Sequence, residues 1–221
     1  ELLRLLIALG EEGVPEAAVL DCLWPQEEAD LAHKAFAAAL HRLRSLLGRT
    51  DAVELSGGRL TLNPGIVWTD VREFLQLADG CLENHESEDC LEAAARARHL
   101  YRGAFLPDET DAGWVLKHRE ALRERFVRLV ERTARMLEDR SRHEEAGQWY
   151  EHGIAVDELV ERFHQGLMRC LSFQGQVSEV GRVYRRLQRT LARAFGRTPS
   201  PESEGLYLAS LITRSLPPPE V

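Results

Sequence analysis

The sequence predicts a mainly α-helical chain: a small helix-turn-helix unit closed by one β-hairpin, then an all-α region of paired helices. Three observations predict it. The stretch from Leu31 to Gly48 is amphipathic and free of acidic residues, and two short apolar segments precede it. A Gly57-Gly58 pair joins two alternating segments directly after it. Four residues, Leu137, Glu145, Gly147 and Tyr150, recur 34 positions later as Leu171, Glu179, Gly181 and Tyr184, which is a helix-pair repeat period.

In chain order, Leu2, Leu3, Leu6, Ile7 and Leu9 predict a helix over the first ten residues, punctuated by Gly10 and Gly13. Its opening has no cap and no lead-in, which predicts a piece of a longer protein. Val14-Pro15 predicts the start of a second, short helix, with Pro15 at the first helical position and Glu16 in the first turn. Ala18, Val19, Cys22 and Leu23 form its apolar side. Trp24-Pro25 ends it, because a residue before proline resists helical geometry. Gln26 to Asp30 is a polar connector, with Asp30 the expected N-cap of the third helix.

That helix places Phe36, Leu40, Leu43 and Leu47 on one face, spaced four, three and four apart. The other side carries Lys34, His41 and Ser45, flanked by His33, Arg42 and Arg44. Gly48 suits its C-cap. Ala52 to Leu55 and Arg59 to Leu62 read as strands joined by Ser56-Gly57-Gly58, and Arg59 lies beside the tip, where a wing could meet a phosphate. Asn63-Pro64-Gly65 closes the unit, giving domains 1–66 and 67–221.

From Trp68 the chain reads as helical. A helix capped by Thr69 or Asp70 runs to about Ala78, a polar loop spans Glu83 to Glu88, and the next helix runs from Asp89 to Arg102. Phe105-Leu106-Pro107-Asp108 is a turn, and the longest helix runs from about Ala112 to Asp139. Phe195-Gly196 ends the last repeat helix, Glu202 to Thr213 closes the domain, and Pro217-Pro218-Pro219 is a tail. Trp24, Trp68, Trp114 and Trp149 are expected as core anchors.

The 221 residues carry a formal net charge of −8, which argues against indiscriminate polyanion binding. Residues 1–30 hold eight acidic side chains against Arg4 alone, a local charge of −7. Residues 31–60 hold Lys34, Arg42, Arg44, Arg49 and Arg59 against Asp51 and Glu54, a local charge of +3. Basic charge is thereby assigned to the third helix and the segment after it, where an anionic partner would dock. The sequence has no membrane-length apolar run, and its start lacks the basic n-region of a signal peptide. Cys22, Cys81, Cys90 and Cys170 have no metal-ligand spacing, so scattered thiols in a cytoplasmic protein are expected. No catalytic motif is present: GxSxG, GxxxxGK[ST], GxGxxG and HExxH are all missing. The expectation is no enzyme, no cofactor and no metal.

The order of these pieces resembles the SARP-type bacterial transcriptional activators. The matching residues are Leu23-Trp24, Leu43-Arg44 with Leu46-Leu47-Gly48, the Gly57-Gly58 wing, Tyr101-Arg102-Gly103 with Phe105-Leu106, and Pro199-Ser200-Pro201. The resemblance implies a winged helix-turn-helix, truncated here because the family's leading sheet has no residues, followed by a tetratricopeptide-like domain. It implies double-stranded DNA as a partner of the third helix. Lys34 and His41, with His33, would read bases, while Arg42, Arg44 and Arg59 would hold phosphates. Ala37, Ala38 and Ala39 depart from the family's polar reading face. The helical repeats imply a protein partner, either RNA polymerase or another domain of the same protein, and a homodimer is one assembly they would permit. The competing expectation is a protein-interaction or signalling module whose degenerate winged helix no longer binds DNA.

Overall fold

The computed structural model describes residues 1–10, 13–83, 88–109 and 112–215. It divides into two compact units. One comprises Glu1–Asp79 and Arg96–Arg125, the other Gly80–Ala95 and the chain from Phe126 onward.

The first unit opens with α1 (Leu2–Leu9), β1 (Val14–Pro15), α2 (Glu16–Leu23) and α3 (Ala29–Leu47), followed by the hairpin β2 (Val53–Ser56) and β3 (Arg59–Leu62). Leu5, Leu6, Val19, Phe36, Leu60 and Leu62 meet in its core. Their burial supplies the main driving force for folding, since each large side chain removed from water contributes about 1.5–3 kcal/mol.

Three local expectations are corrected. Val14-Pro15 does not start a helix: it is a short strand that pairs with β3, Val14 opposite Leu60, in an antiparallel sheet of order β1-β3-β2. Pro15 then stands at the N-cap of α2 with extended ψ of 136°. Asp30 is not the N-cap of α3; Glu28 holds that position and Asp30 falls in the first turn. The third helix thus begins with an acidic residue inside it. The hairpin turn is Gly57-Gly58 alone, at φ 57° and 73°, with Ser56 paired opposite Arg59. Successive positive φ values are what a tight hairpin turn demands, which only glycine adopts without strain.

Gly13 has φ 81°, and a Cβ there would stand 2.7 Å from Thr61 Oγ1. Only glycine lets this strand approach β3 so closely. Glu16 N–H donates to the Gly58 carbonyl at 2.8 Å, so the wing tip is tied to the first turn of α2.

The remaining helices are α4 (Asp70–Glu83), α5 (Glu88–Leu100), α6 (Gly113–Asp139), α7 (His143–Val156), α8 (Glu161–Phe173), α9 (Val177–Phe195) and α10 (Pro201–Ser215). Helix α4 continues past the expected end near Ala78. Residues 84–87 of the predicted polar loop and the Pro217–Pro219 tail lie outside the described residues. In the second unit, α7 packs on α8, α8 on α9, and α10 on both α8 and α9, the stacking of a helical-pair repeat.

The 34-residue repeat holds in the backbone. Arg142 N–H donates to the Leu137 carbonyl at 2.8 Å, and Gln176 N–H to the Leu171 carbonyl at 2.9 Å. Each bond closes a left-handed helix C-terminus. Trp149 is buried as expected, whereas Trp68 is 67% exposed and anchors no core. All four cysteines are free, and Cys81, Cys90 and Cys170 are buried.

Candidate nucleic-acid interface

Helix α3 buries Ala32, Phe36, Leu40 and Leu43 against the core of the first unit. The opposite face is therefore dictated by period: Lys34, Ala38, His41, Arg42 and Ser45 are all exposed, as are His33 and Ala37. Gly48 caps the helix at φ 70°. Between this face and the wing runs a shallow groove lined by Ala37, His41, Arg44, Ser45, Arg49 and Leu55.

The six sequence-predicted site residues divide into two groups. Lys34, His41 and Arg42 project from the exposed face, and His33 sits at its edge with Nδ1 3.1 Å from Glu16 Oε1. Arg44 and Arg59 spend donors on the protein itself. Arg44 is half-buried and donates from Nε at 2.9 Å and Nη2 at 2.7 Å to the Val53 carbonyl, tying α3 to β2. Arg59 Nη2 donates to the Gly13 carbonyl at 2.6 Å, tying the wing to the segment before β1. Their remaining N–H groups are what an incoming phosphate would meet.

Arg49, beside the groove, forms a bidentate pair with Asp51 at 3.0 and 2.8 Å. The guanidinium holds the Asp51 carboxyl below its ordinary range. The local charge of +3 is consequently carried to solvent mainly by Lys34 and Arg42. The residue types needed to read an adenine or guanine edge are few here: three exposed or half-exposed alanines leave apolar contact with a thymine methyl.

A second groove in the first unit, of about 720 Å³, is lined by Ile7, Trp68, Phe74, Tyr101, Phe105 and Leu122 among others. Its floor is the Tyr101-Arg102-Gly103…Phe105-Leu106 segment. Arg119 holds that segment by donating to the carbonyls of Phe105 at 2.9 Å, Leu106, and Glu109 at 3.1 Å. Trp68 donates its indole N–H to Glu73, which with Arg96 keeps the Glu73 carboxyl below the usual range. Sequence reasoning missed this groove because it assigned Trp68 to a core. Among the described residues no group of three or more His, Cys, Asp or Glu side chains could hold a metal ion. Nor is any described helix long and apolar enough to cross a membrane.

Residues 69–209, well over half of the chain, match the family model of the bacterial transcriptional activator domain. The chain belongs to that family. It is a bacterial transcriptional activator-type protein, in agreement with the SARP-type resemblance of its sequence. No curated protein matches it. The solved structure described as Mycobacterium tuberculosis EmbR in complex with low affinity phosphopeptide is similar, with a TM-score of 0.70 and 20% identity. The match covers 98% of this chain and 59% of that one, so this activator-family chain spans about three fifths of the EmbR chain's length. At that identity the likeness establishes the fold: a mainly helical chain with a small three-stranded antiparallel sheet.

Proposed function

We propose that residues 1–66 bind double-stranded DNA, with α3 in the major groove and the Gly57-Gly58 wing beside it, and that residues 67–221 contact a protein partner. The observation that carries the reading is the exposed α3 face: its buried side is complete, so Lys34, Ala38, His41 and Arg42 are left for a partner. Lys34 and His41 would meet base edges, with His33 at the edge of the face. Arg42 and the unspent N–H groups of Arg44 and Arg59 would meet phosphates. The Trp68 groove is the apolar surface in this unit best suited to a protein segment. Such a protein works in the cytoplasm, where its DNA lies.

Ala38→Glu tests the reading. Glutamate is a good helix former, so the exposed substitution leaves α3 intact while placing a carboxylate against the phosphates. Fluorescence anisotropy with duplex DNA at low salt should show binding by the native chain and its loss in the variant. Equal binding by both would refute α3 as the contact.

A second reading is favoured by Leu46, which is 85% exposed at the end of α3, and by exposed Asp21, Glu27, Glu28 and Asp30 nearby in sequence. In it the winged helix is a protein-docking module, and the native chain shows no anisotropy change with DNA at any salt concentration.

A further inference from the structure

The first sixty residues suggest that basic charge is concentrated on α3 and the wing. Helix α9 corrects this. It carries Arg182, Arg185, Arg186, Arg189 and Arg193, and Arg197 follows its Gly196 cap; all six are exposed. The only carboxylate within the helix is Glu179. Six arginines against one glutamate give a local charge of +5, larger than the +3 of residues 31–60.

The arginines are arranged, not merely abundant. Arg182, Arg186, Arg189 and Arg193 are spaced four, three and four apart, which puts them in one line about 16 Å long at 1.5 Å per residue. Arg185 flanks it. Val180, Leu187 and Leu191 occupy the opposite, buried face, so no apolar side chain interrupts the line. Two carboxylates compete for it: Glu179, paired with Arg182, and Glu158, 2.9 Å from Arg193 and 4.0 Å from Arg186. The arginine side chains of these pairs remain 69%, 77% and 52% exposed, so water screens the pairs and a stronger anion can displace them.

We infer that the α9 arginine line is a second phosphate-backbone contact for duplex DNA, in the part of the chain otherwise assigned to protein. Protein interfaces need a desolvated apolar or aromatic centre, which this line lacks. Guanidinium forks match phosphate oxygens two N–H groups at a time, and a duplex presents a negative charge about every 1.7 Å along its axis. Backbone contact carries no sequence information, which suits a helix whose exposed face offers one residue type. The inference stands independently of α3.

The test compares the full chain with its R182Q/R185Q/R186Q/R189Q variant by anisotropy on a duplex of arbitrary sequence, alongside A38E. Binding constants are followed between about 50 and 200 mM salt, with thermal melts as the folding check. Three lost phosphate contacts should make the affinity drop across that range about 40-fold smaller. If the quadruple variant melts early, R185Q/R189Q, which leaves the Glu158 and Glu179 pairs in place, should lower the log–log salt slope by about two units. An unchanged slope in a folded α9 variant overturns the inference, and an acidic protein is then the occupant to seek. A38E losing binding while α9 variants keep their slope refutes only this inference; the converse refutes only the α3 reading. A native chain that binds no duplex at all refutes both.

Discussion

Ser141 and Gly175 occupy the same position in successive helical pairs. They lie 34 residues apart and share left-handed backbone, at φ 59° and 71°. Their N–H groups donate to the carbonyls of Glu138 at 2.8 Å and Ser172 at 3.0 Å, three residues back in each case. Glycine fits this position and serine is strained in it.

Ser141→Gly should therefore stabilise the chain, by about 0.5 kcal/mol once the added freedom of the unfolded glycine is subtracted. Gly175→Ser should destabilise it by a similar amount. Denaturant midpoints read both, and a loss of stability in Ser141→Gly would contradict the repeat geometry.

Two helical glycines should respond oppositely to alanine. A Cβ at Gly166 would sit 2.2–2.5 Å from ring carbons of Tyr150, which is buried and donates its hydroxyl to Glu138 at 2.7 Å. Gly166→Ala should cost about 1–3 kcal/mol through overpacking. At Gly147 the same atom would meet Leu167 and Cys170 at 3.7 and 3.8 Å, ordinary contact distances. Gly147→Ala should be neutral or slightly stabilising in the same melts.

Arg44 and Arg42 should separate under mutation. Arg44→Ala strips the buried Val53 carbonyl of both its side-chain donors and should cost about 1–2 kcal/mol of stability. Arg42→Ala, on the exposed face, should change stability by less than about 0.5 kcal/mol. Chemical denaturation distinguishes them before any DNA is added.

His118 gives the chain a pH dependence. Burial, aided by the nearby Arg125 charge, pushes its pKa down to about 4 from an ordinary 6.5, so it is neutral in the folded chain at pH 7. As pH falls through 6.5 the unfolded chain takes up this proton first, so stability falls with pH in the window between 6.5 and about 4. His118→Phe keeps an edge-on ring partner for Phe105, 4.8 Å away in the native chain, and removes the proton. Its unfolding midpoint should fall less between pH 7 and 5 than the native one does.

The fold was legible where a period or a turn chemistry repeats. The α3 stripe, the Gly57-Gly58 hairpin and the 34-residue offset each leave several residues in register, and each element formed where expected. Strand β1 was not legible, because two residues cannot show alternation and Val14-Pro15 is also a good helix start; pairing with β3 decides it. Trp68 was misassigned because size alone predicts burial, whereas its indole N–H is used at the surface by Glu73. The α9 line was present in the sequence but hidden by a net charge of −8. For α3, residue types and spacing placed Lys34, His41 and Arg42 on one face. They could not show that Arg44 and Arg59 donate to backbone carbonyls, since those bonds depend on where β2 and Gly13 lie.

The central claim, that α3 docks on DNA, is tested most directly by the salt dependence of duplex binding in Lys34→Ala/Arg42→Ala. With the melting temperature unchanged, the account predicts weaker binding to every sequence and a slope shallower by about two units, one per lost phosphate-neutralising cation. Unchanged affinity and an unchanged slope would contradict it.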